Sequence, residues 1–300
     1  GIFCQQTDLP LTVVQMNVVY RKNNLFVHYI VLVHRPHQYC LNTLNPTPQI
    51  RKLVESFRKR IIEQLDPSKK YPVIIDVYGE PANATVQDVW SGGSLWHQYL
   101  ANLGYIIVSI ENRGANAPRG REWRKCIYGE VGTFASEDQA RGIQDLARQY
   151  SFIDTARIGI TGWSGGGSQT LNSMFRYPDV FHTGIAIAFV ADQRLYDTVY
   201  QERYMNTPQN NPEGYRKGSP ISYAAGLKGN LLLIHGTGDD NVHYQNCEML
   251  VNELVRHGKI FSQISYPMRS HGIYEGEGTS LHLRKTMADY WLKNLPAGGK

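Results

Sequence analysis

In the stretch IGITGWSGGGSQT at residues 158–170, Ser164 follows an apolar run and stands among four glycines, at 162 and 165–167. Gly162 and Gly166 flank Ser164 at two residues on each side, which gives the spacing G-x-S-x-G. This spacing is typical of a nucleophile elbow, a sharp strand-to-helix turn that holds a strained serine with its hydroxyl exposed. Glycines are needed on both sides because a side chain would collide with the neighbouring strand and helix. The pattern predicts that Ser164 is a nucleophile, and the alternative is a glycine-rich loop that happens to contain a serine.

A serine hydroxyl is a weak nucleophile at neutral pH, so Ser164 needs a base, and the base needs an acid to orient it. In α/β-hydrolases both partners follow the serine on loops after later strands, first the acid and then the histidine. Asp239 and Asp240 follow one apolar run, and His271 follows the next. Order and position predict His271 as the base and one of the two aspartates as the acid. Spacing does not separate the aspartates, and the second is expected to cap the following helix.

The remaining histidines receive structural interpretations. His182 precedes a strand, and His235 is expected to pack within a strand-end turn. His34 and His37 lack an evident third ligand, so no metal site is predicted. No cofactor is implied, because the glycine run lacks the lysine of a phosphate-binding loop. The other histidines in this part of the chain are assigned to helices, namely His243, His257 and His282.

From residue 66 onward, short apolar runs alternate with helical patterns. Strands are expected at 72–79, 105–112, 157–162, 183–190, 230–238 and 261–267. Ser136–Gln139 is interpreted as a capping box that opens a helix reaching about Tyr150. Further helices are expected at 165–177, 245–257 and 279–295. Continuous apolar strands between helices predict an α/β fold with a mostly parallel sheet and helices on both faces.

The first 65 residues show no such regularity. They are interpreted as an atypical N-terminal segment, truncated or recombined and partly helical at Gln49–Gln64, before a catalytic domain at 66–300. The apolar stretch Leu25–Val33 is too short to span a bilayer, and no signal peptide is visible. A formal net charge of +5 without a basic stripe argues against nucleic-acid binding. The four cysteines lack zinc-site spacing and are expected to be buried thiols, with a bridge between two of them left open.

The region from about Pro67 to Leu295 resembles the catalytic domain of the prolyl oligopeptidase family, in its dipeptidyl peptidase IV branch. The matching motifs are DVYGEP, GWSGGG, LYDTVYQERYM, HGTGDDNVHYQ and SHG, in that order. The resemblance implies an α/β-hydrolase fold in which Ser164 is the nucleophile, His271 the base and Asp239 the acid. It also implies an oxyanion hole formed by the Tyr78 hydroxyl and the backbone N–H of Gly165. The implied substrate-pocket residues are Val190, Tyr196, Tyr200, Asn241 and Val242.

Three positions depart from the family pattern. Gly165 replaces the aromatic residue that usually follows the nucleophile in the family. Gln193 replaces a tryptophan of the pocket, and Phe189 replaces a proline. The loss of two rings predicts a wider pocket that is less selective for proline. Without the resemblance, Tyr196 and Tyr200 would indicate a helix face packed on the core, since they lie four residues apart.

The family's peptidases carry a β-propeller before the catalytic domain, and the first 65 residues are too short for one. In dipeptidyl peptidases the propeller supplies the acidic pair that binds the substrate amine, and losing remote contacts lowers turnover as well as affinity. An ester tolerates weaker positioning than an amide because its leaving group is better. The primary prediction is therefore a serine hydrolase with carboxylesterase-like activity on small to medium acyl esters.

Two alternatives stay open. The first is a dipeptidyl peptidase IV-like exopeptidase that removes X-Pro or X-Ala dipeptides, and the second is a non-catalytic interaction subunit. The resemblance further implies a homodimer, a periplasmic or secreted location and a small ester or peptide substrate. Charge, composition and motifs indicate no nucleic-acid, membrane or cofactor partner.

Overall fold

The structure is a computed structural model that describes residues 66, 68–81, 83–86, 93–116 and 119–300, together with the backbone of Val13–Asn17. The helix expected at Gln49–Gln64, the pair His34 and His37, and two of the four cysteines lie outside the described residues. The domain boundary after residue 65 stays a prediction. Among the described cysteines, Cys247 is a buried free thiol, and burial raises its pKa to about 12.

The described residues form one seven-stranded sheet with the strand order β1-β3-β2-β4-β5-β6-β7. All neighbouring strands run parallel except β1 and β3, which are antiparallel. A mostly parallel sheet is therefore confirmed. The strands are β1 (Val13–Asn17), β2 (Tyr71–Asp76), β3 (Ile106–Glu111), β4 (Ile153–Trp163), β5 (Thr183–Ile187), β6 (Asn230–Gly236) and β7 (Ser262–Tyr266).

Helices cover both faces of this sheet. Ile75 belongs to a core cluster with Ile143 and Leu250, whereas its neighbour Ile74 belongs to a second cluster with Leu100 and Trp291. Successive side chains of a strand point to opposite faces, so the two clusters lie on the two sides of the sheet. The helices are α1 (Gly93–Asn102), α2 (Gly120–Lys125), α3 (Phe134–Gln149), α4 (Gly165–Arg176), α5 (Thr198–Met205), α6 (Pro212–Gly218), α7 (Gln245–Arg256) and α8 (Thr279–Asn294).

The first cluster receives side chains from α3, α4 and α7, and the second receives them from α1 and α8. This arrangement confirms the predicted α/β architecture with helices on both faces. In the part of the chain that the structure describes, no helix has the length and apolarity needed to cross a membrane.

The capping box expected at Ser136–Gln139 is wrong. Helix α3 begins at Phe134, so Ser136 lies inside the helix, and its hydroxyl donates to the carbonyl of Thr133 at 3.5 Å. The side-chain amide of Gln139 donates to the carbonyl of Ile110 in β3 at 2.9 Å. Gln139 therefore ties the helix to the sheet and does not return to the helix N-terminus.

The strand expected at 183–190 is shorter in the structure, because β5 ends at Ile187. The φ angle of the next residue, Ala188, is 47°, and this angle takes the backbone out of the extended conformation. The chain then turns toward α4, where the N–H of Val190 donates to the hydroxyl of Ser168 at 3.0 Å. This turn brings Val190 to the carboxyl ends of the parallel strands, next to Ser164.

Candidate active site

Ser164 occupies a strained turn between β4 and α4. Its backbone has φ 58° and ψ −122°, values that only a strongly constrained non-glycine residue adopts. Its N–H donates to the carbonyl of Ile187 in β5 at 2.8 Å, so the neighbouring strand holds the turn. A Cβ on Gly162 would lie 2.3 Å from the carbonyl oxygen of Val77, and one on Gly166 would lie 2.1 Å from it. The predicted need for glycine on both sides of the serine thus has a steric cause in the backbone after β2.

Asp239 and His271 lie on the loops after β6 and β7 and contact each other directly. His271 Nδ1 is 2.8 Å from Asp239 Oδ2. The other carboxylate oxygen, Oδ1, accepts the backbone N–H groups of Asn241 at 3.0 Å and Val242 at 2.8 Å. Both oxygens of Asp239 are therefore held, and the side chain aims one of them at the imidazole.

The geometry separates the two aspartates that the sequence left equivalent. Asp239 is only 5% exposed, whereas Asp240 is exposed. Burial alone would raise the pKa of Asp239, but hydrogen bonds from His235 and His271 outweigh it and hold that pKa below the usual range for an aspartate. The capping role expected for Asp240 is wrong, because α7 has Tyr244 at its N-cap and no side-chain cap bond.

The segment that carries His271 is tied to Trp163, the residue before Ser164. Trp163 Nε1 donates to the backbone carbonyl of His271 at 2.8 Å. The side chain of His271 is 23% exposed, so part of the ring reaches the surface. Because Asp239 engages Nδ1, the second ring nitrogen, Nε2, is available to another group.

His235 makes a contact that the sequence did not predict. The residue is fully buried in β6, and its Nε2 lies 3.3 Å from Asp239 Oδ2 and 2.9 Å from the carbonyl oxygen of Val242. It therefore supports Asp239 as well as packing at the strand end. Its position four residues before Asp239 was the available signal, but only the course of the turn brings the two side chains together.

A cleft opens beside Ser164 and encloses about 330 Å³ of empty space, part of it open to solvent. Tyr78 and Ser164 line this cleft together, and the Ser164 side chain acts to lower the pKa of the Tyr78 phenol. Burial, followed by the negative charge of Glu80, raises the pKa of Tyr78, which keeps its hydroxyl protonated and able to donate. The residues that line the cleft are Tyr78, Glu80, Ser164, Gly165, Ser168, Val190, Gln193, Tyr196, Tyr200 and Gln201.

The predicted pocket residues are distributed unevenly around this cleft. Tyr196 and Tyr200 pack edge to face with ring centroids 5.5 Å apart, and they form a wall of the cleft. The Tyr196 hydroxyl donates to the side-chain oxygen of Asn241 at 3.1 Å. Val190 lines the cleft, whereas Val242 is fully buried and, like Asn241, is not among the residues that line it.

The sequence did not predict the polar character of the cleft near Glu80 and Gln193. Glu80 lies within the motif DVYGEP, but nothing in the motif assigns it a role. A Cβ on Gly165 would lie 2.1 Å from Glu80 Cγ, so Glu80 fills space that a larger residue at 165 would need. Gln193 accepts a hydrogen bond from Gln201 at 2.5 Å. Glu80, Gln193 and Gln201 therefore make part of this cleft polar, and the predicted greater width stays a prediction.

Comparison with known proteins agrees with this geometry. The family model described as the prolyl oligopeptidase family matches residues 93–297. Dipeptidyl peptidase 8 of Mus musculus and that of Homo sapiens are each 39% identical over 226 residues, which is 73% of this chain and 25% of theirs. The crystal structure of Porphyromonas gingivalis dipeptidyl peptidase 4 matches this chain with a TM-score of 0.74 and 43% sequence identity. The match covers 77% of this chain and 32% of the chain in the crystal structure.

The chain thus spans about a quarter of the length of these curated relatives. The matched region includes the elbow at Ser164, the aspartate at the end of β6 and the histidine after β7. Family match, structural similarity and the α/β sheet agree, and the chain belongs to the prolyl oligopeptidase family of serine hydrolases.

Proposed function

We propose that this chain is the catalytic domain of a dipeptidyl peptidase-like serine peptidase. The proposal rests above all on the 2.8 Å contact between His271 and Asp239, combined with the strained backbone of Ser164 at the same edge of the sheet. In this reading Ser164 attacks the carbonyl carbon of a peptide bond, and His271 Nε2 takes the proton from its hydroxyl. Asp239 holds the proton of His271 on Nδ1 and stabilises the imidazolium that forms.

The negative oxygen of the tetrahedral intermediate needs donors that are already in place. The Tyr78 hydroxyl and the backbone N–H of Gly165 serve this purpose, because Gly165 begins α4 and Tyr78 lines the same cleft as Ser164. His271 then passes its proton to the leaving amine, which departs and leaves an ester between the acyl group and Ser164. Water attacks this ester with His271 again as the base, and the free enzyme is regenerated.

The relatives favour the peptidase over the carboxylesterase-like activity that the sequence analysis placed first. Both curated relatives and the protein of the similar crystal structure are dipeptidyl peptidases. The esterase prediction rested on the lack of a propeller before residue 66. A chain that spans a quarter of its relatives gives that argument no weight, since nothing follows from where the chain begins.

The test compares an amide and an ester substrate on the same preparation. We expect turnover of Gly-Pro-p-nitroanilide and covalent labelling by a fluorophosphonate probe, both lost on Ser164→Ala by a factor of about 1000 or more. Ser173→Ala is the matched control, because this serine lies buried in the same helix and its hydroxyl has no hydrogen-bond partner among the described residues. The control should keep both activities within about twofold.

Two results would change the assignment. Efficient hydrolysis of p-nitrophenyl butyrate without anilide cleavage would restore the carboxylesterase prediction. A folded protein that no fluorophosphonate labels would refute catalysis by Ser164 and favour the non-catalytic interaction subunit.

A further inference from the structure

A buried carboxyl group lies beside the nucleophile and has no part in the mechanism described above. Glu80 is 5% exposed and lines the same cleft as Ser164. The position of a Cβ on Gly165 would lie 2.1 Å from Glu80 Cγ and 3.3 Å from Glu80 Oε1. The carboxyl group is therefore adjacent to the residue that follows the nucleophile, on the wall of the cleft that receives the acyl part of a substrate.

Two neutral groups hydrogen-bond to this carboxyl. Gln169 Nε2 donates to Oε1 at 3.0 Å, and the Tyr200 hydroxyl donates to Oε2 at 3.1 Å. The described residues supply no cation: burial raises the pKa of Glu80, hydrogen bonds from Gln169 and Tyr200 lower it in part, and no positive charge contributes. A carboxylate offers about four acceptor positions, so about half of them are unused.

Buried carboxylates in folded proteins are normally paired with a cation, because an unpaired buried charge is costly. Among the described residues no such partner acts on Glu80, while the cleft gives access from outside. The rest of the wall near Glu80 is also polar, since it includes Ser168, Gln193 and Gln201. A substrate group that brings a positive charge would complete the pairing, whereas an apolar group would leave the carboxyl unpaired.

We propose that Glu80 determines specificity in the acyl pocket, by selecting substrates in which the residue before the cleaved bond carries a side chain that ends in a protonated amine. This inference rests on the proposed function, because it needs an acyl group attached at Ser164. Glu80 binds the ammonium group by a charge-assisted hydrogen bond. Its position directly beside Gly165 favours a short amine, of diaminobutyrate or ornithine length, over a longer one.

The experiment uses isosteric substrate pairs. In Gly-Xaa-p-nitroanilides, diaminobutyrate is matched with norvaline and ornithine with norleucine, so that within each pair only the last heavy atom changes from an ammonium nitrogen to a methyl carbon. We expect kcat/KM of the wild type to favour the amine in each pair by about tenfold or more, the range of a hydrogen bond between charged groups. Equal turnover, or preference for the methyl-ended substrate, would overturn the inference.

The variant Glu80→Gln keeps the side-chain length and removes the charge. Its amide oxygen accepts from Gln169, and its amide nitrogen donates to the Tyr200 hydroxyl, so both neighbours keep a partner. We expect the preference for the amine, measured as the ratio of kcat/KM within each pair, to fall to about twofold or less. Glu248→Gln, on the exposed side of α7, is the matched control and should keep the wild-type preference. A preference that survives in Glu80→Gln would show that another group creates it.

A second measurement needs no variant. Diphenyl phosphonate analogues of ornithine and norleucine inactivate serine hydrolases by phosphonylating the nucleophile, and their rate constants are compared on the wild type. Inactivation at least about tenfold faster with the ornithine analogue supports the inference, and equal or slower inactivation overturns it. If a simple fluorophosphonate also fails to label Ser164, the proposed function itself is refuted. Labelling without a preference for the amine refutes only the role of Glu80.

Discussion

Replacing Asp239 by asparagine tests the orientation of the base with almost no change in shape. An asparagine oxygen in the place of Oδ1 still accepts the N–H groups of Asn241 and Val242. The amide nitrogen then takes the place of Oδ2, 2.8 Å from His271 Nδ1. Because an amide nitrogen only donates, Nδ1 must accept, and the proton of the imidazole moves to Nε2. A ring protonated at Nε2 cannot take the proton of Ser164.

The opposite orientation of the amide is unfavourable. Turning the side chain over would aim its nitrogen at the N–H of Val242, which lies 2.8 Å from the present oxygen, and would bring two donors together. The wrong tautomer is therefore the stable one. In serine proteases this change lowers kcat by about 10000-fold, which corresponds to about 5.5 kcal/mol of transition-state stabilisation. We expect a loss of the same size for Asp239→Asn.

The assay measures kcat on Gly-Pro-p-nitroanilide and the rate of fluorophosphonate labelling, with thermal unfolding to verify that the variant is folded. The neighbouring variant Asp240→Asn is the control, because Asp240 is exposed. It should keep activity within about twofold. Asp239→Asn with more than about a tenth of wild-type activity, or an equal loss in Asp240→Asn, would refute the assignment of the acid.

Two further predictions concern the oxyanion and the stability of the sheet. Tyr78→Phe removes the hydroxyl beside Ser164 and should lower kcat by about 100- to 1000-fold without unfolding the protein, and a loss below about threefold would contradict the oxyanion role. Glu111 is 3% exposed, and burial raises its pKa from 4.5 to about 7 although N–H groups of Val86 and Thr85 bond to it. The folded state therefore keeps a proton that the unfolded state releases, and stability falls as pH rises from about 4.5 to about 7. Glu111→Gln removes this titration. Its free energy of unfolding relative to that of wild type should therefore rise by up to about 3 kcal/mol from pH 4.5 to pH 8, as measured by urea unfolding at both pH values. The same difference between the two proteins at both pH values would contradict the prediction.

The sheet and the elbow were predictable because their signals are local. A buried parallel strand is a continuous apolar run, and the turn at Ser164 demands glycines at fixed spacing around it. The structure shows the same demand as close approaches of Gly162 and Gly166 to the carbonyl of Val77. The false capping box had an equally local pattern, but Gln139 gains a stronger partner in β3 than at the helix terminus.

The acid could not be chosen from the residue pattern alone, because adjacent residues in a strand-end turn point in different directions. Asp239 turns inward to the backbone N–H groups of the loop and to two histidines, while Asp240 turns outward. The resemblance implies Asp239 as the acid, and the 2.8 Å contact with His271 supports that assignment. The contribution of His235 depends on how β6 and its loop fold back on each other, and no spacing rule encodes that.

The wall of the pocket was the least predictable part, since it depends on pairs of residues distant in sequence. A glycine at 165, in place of the family's aromatic residue, predicts empty space next to Ser164 if the neighbouring side chains are assumed to be those of the family. In the structure Glu80 fills part of that space, because its Cγ lies 2.1 Å from where a Cβ on Gly165 would lie. With Glu80 in its present position a larger residue does not fit at 165, so the glycine leaves room for the carboxyl group. This arrangement places a carboxyl group beside Ser164, and we expect selectivity to follow the charge of the substrate side chain more than its size.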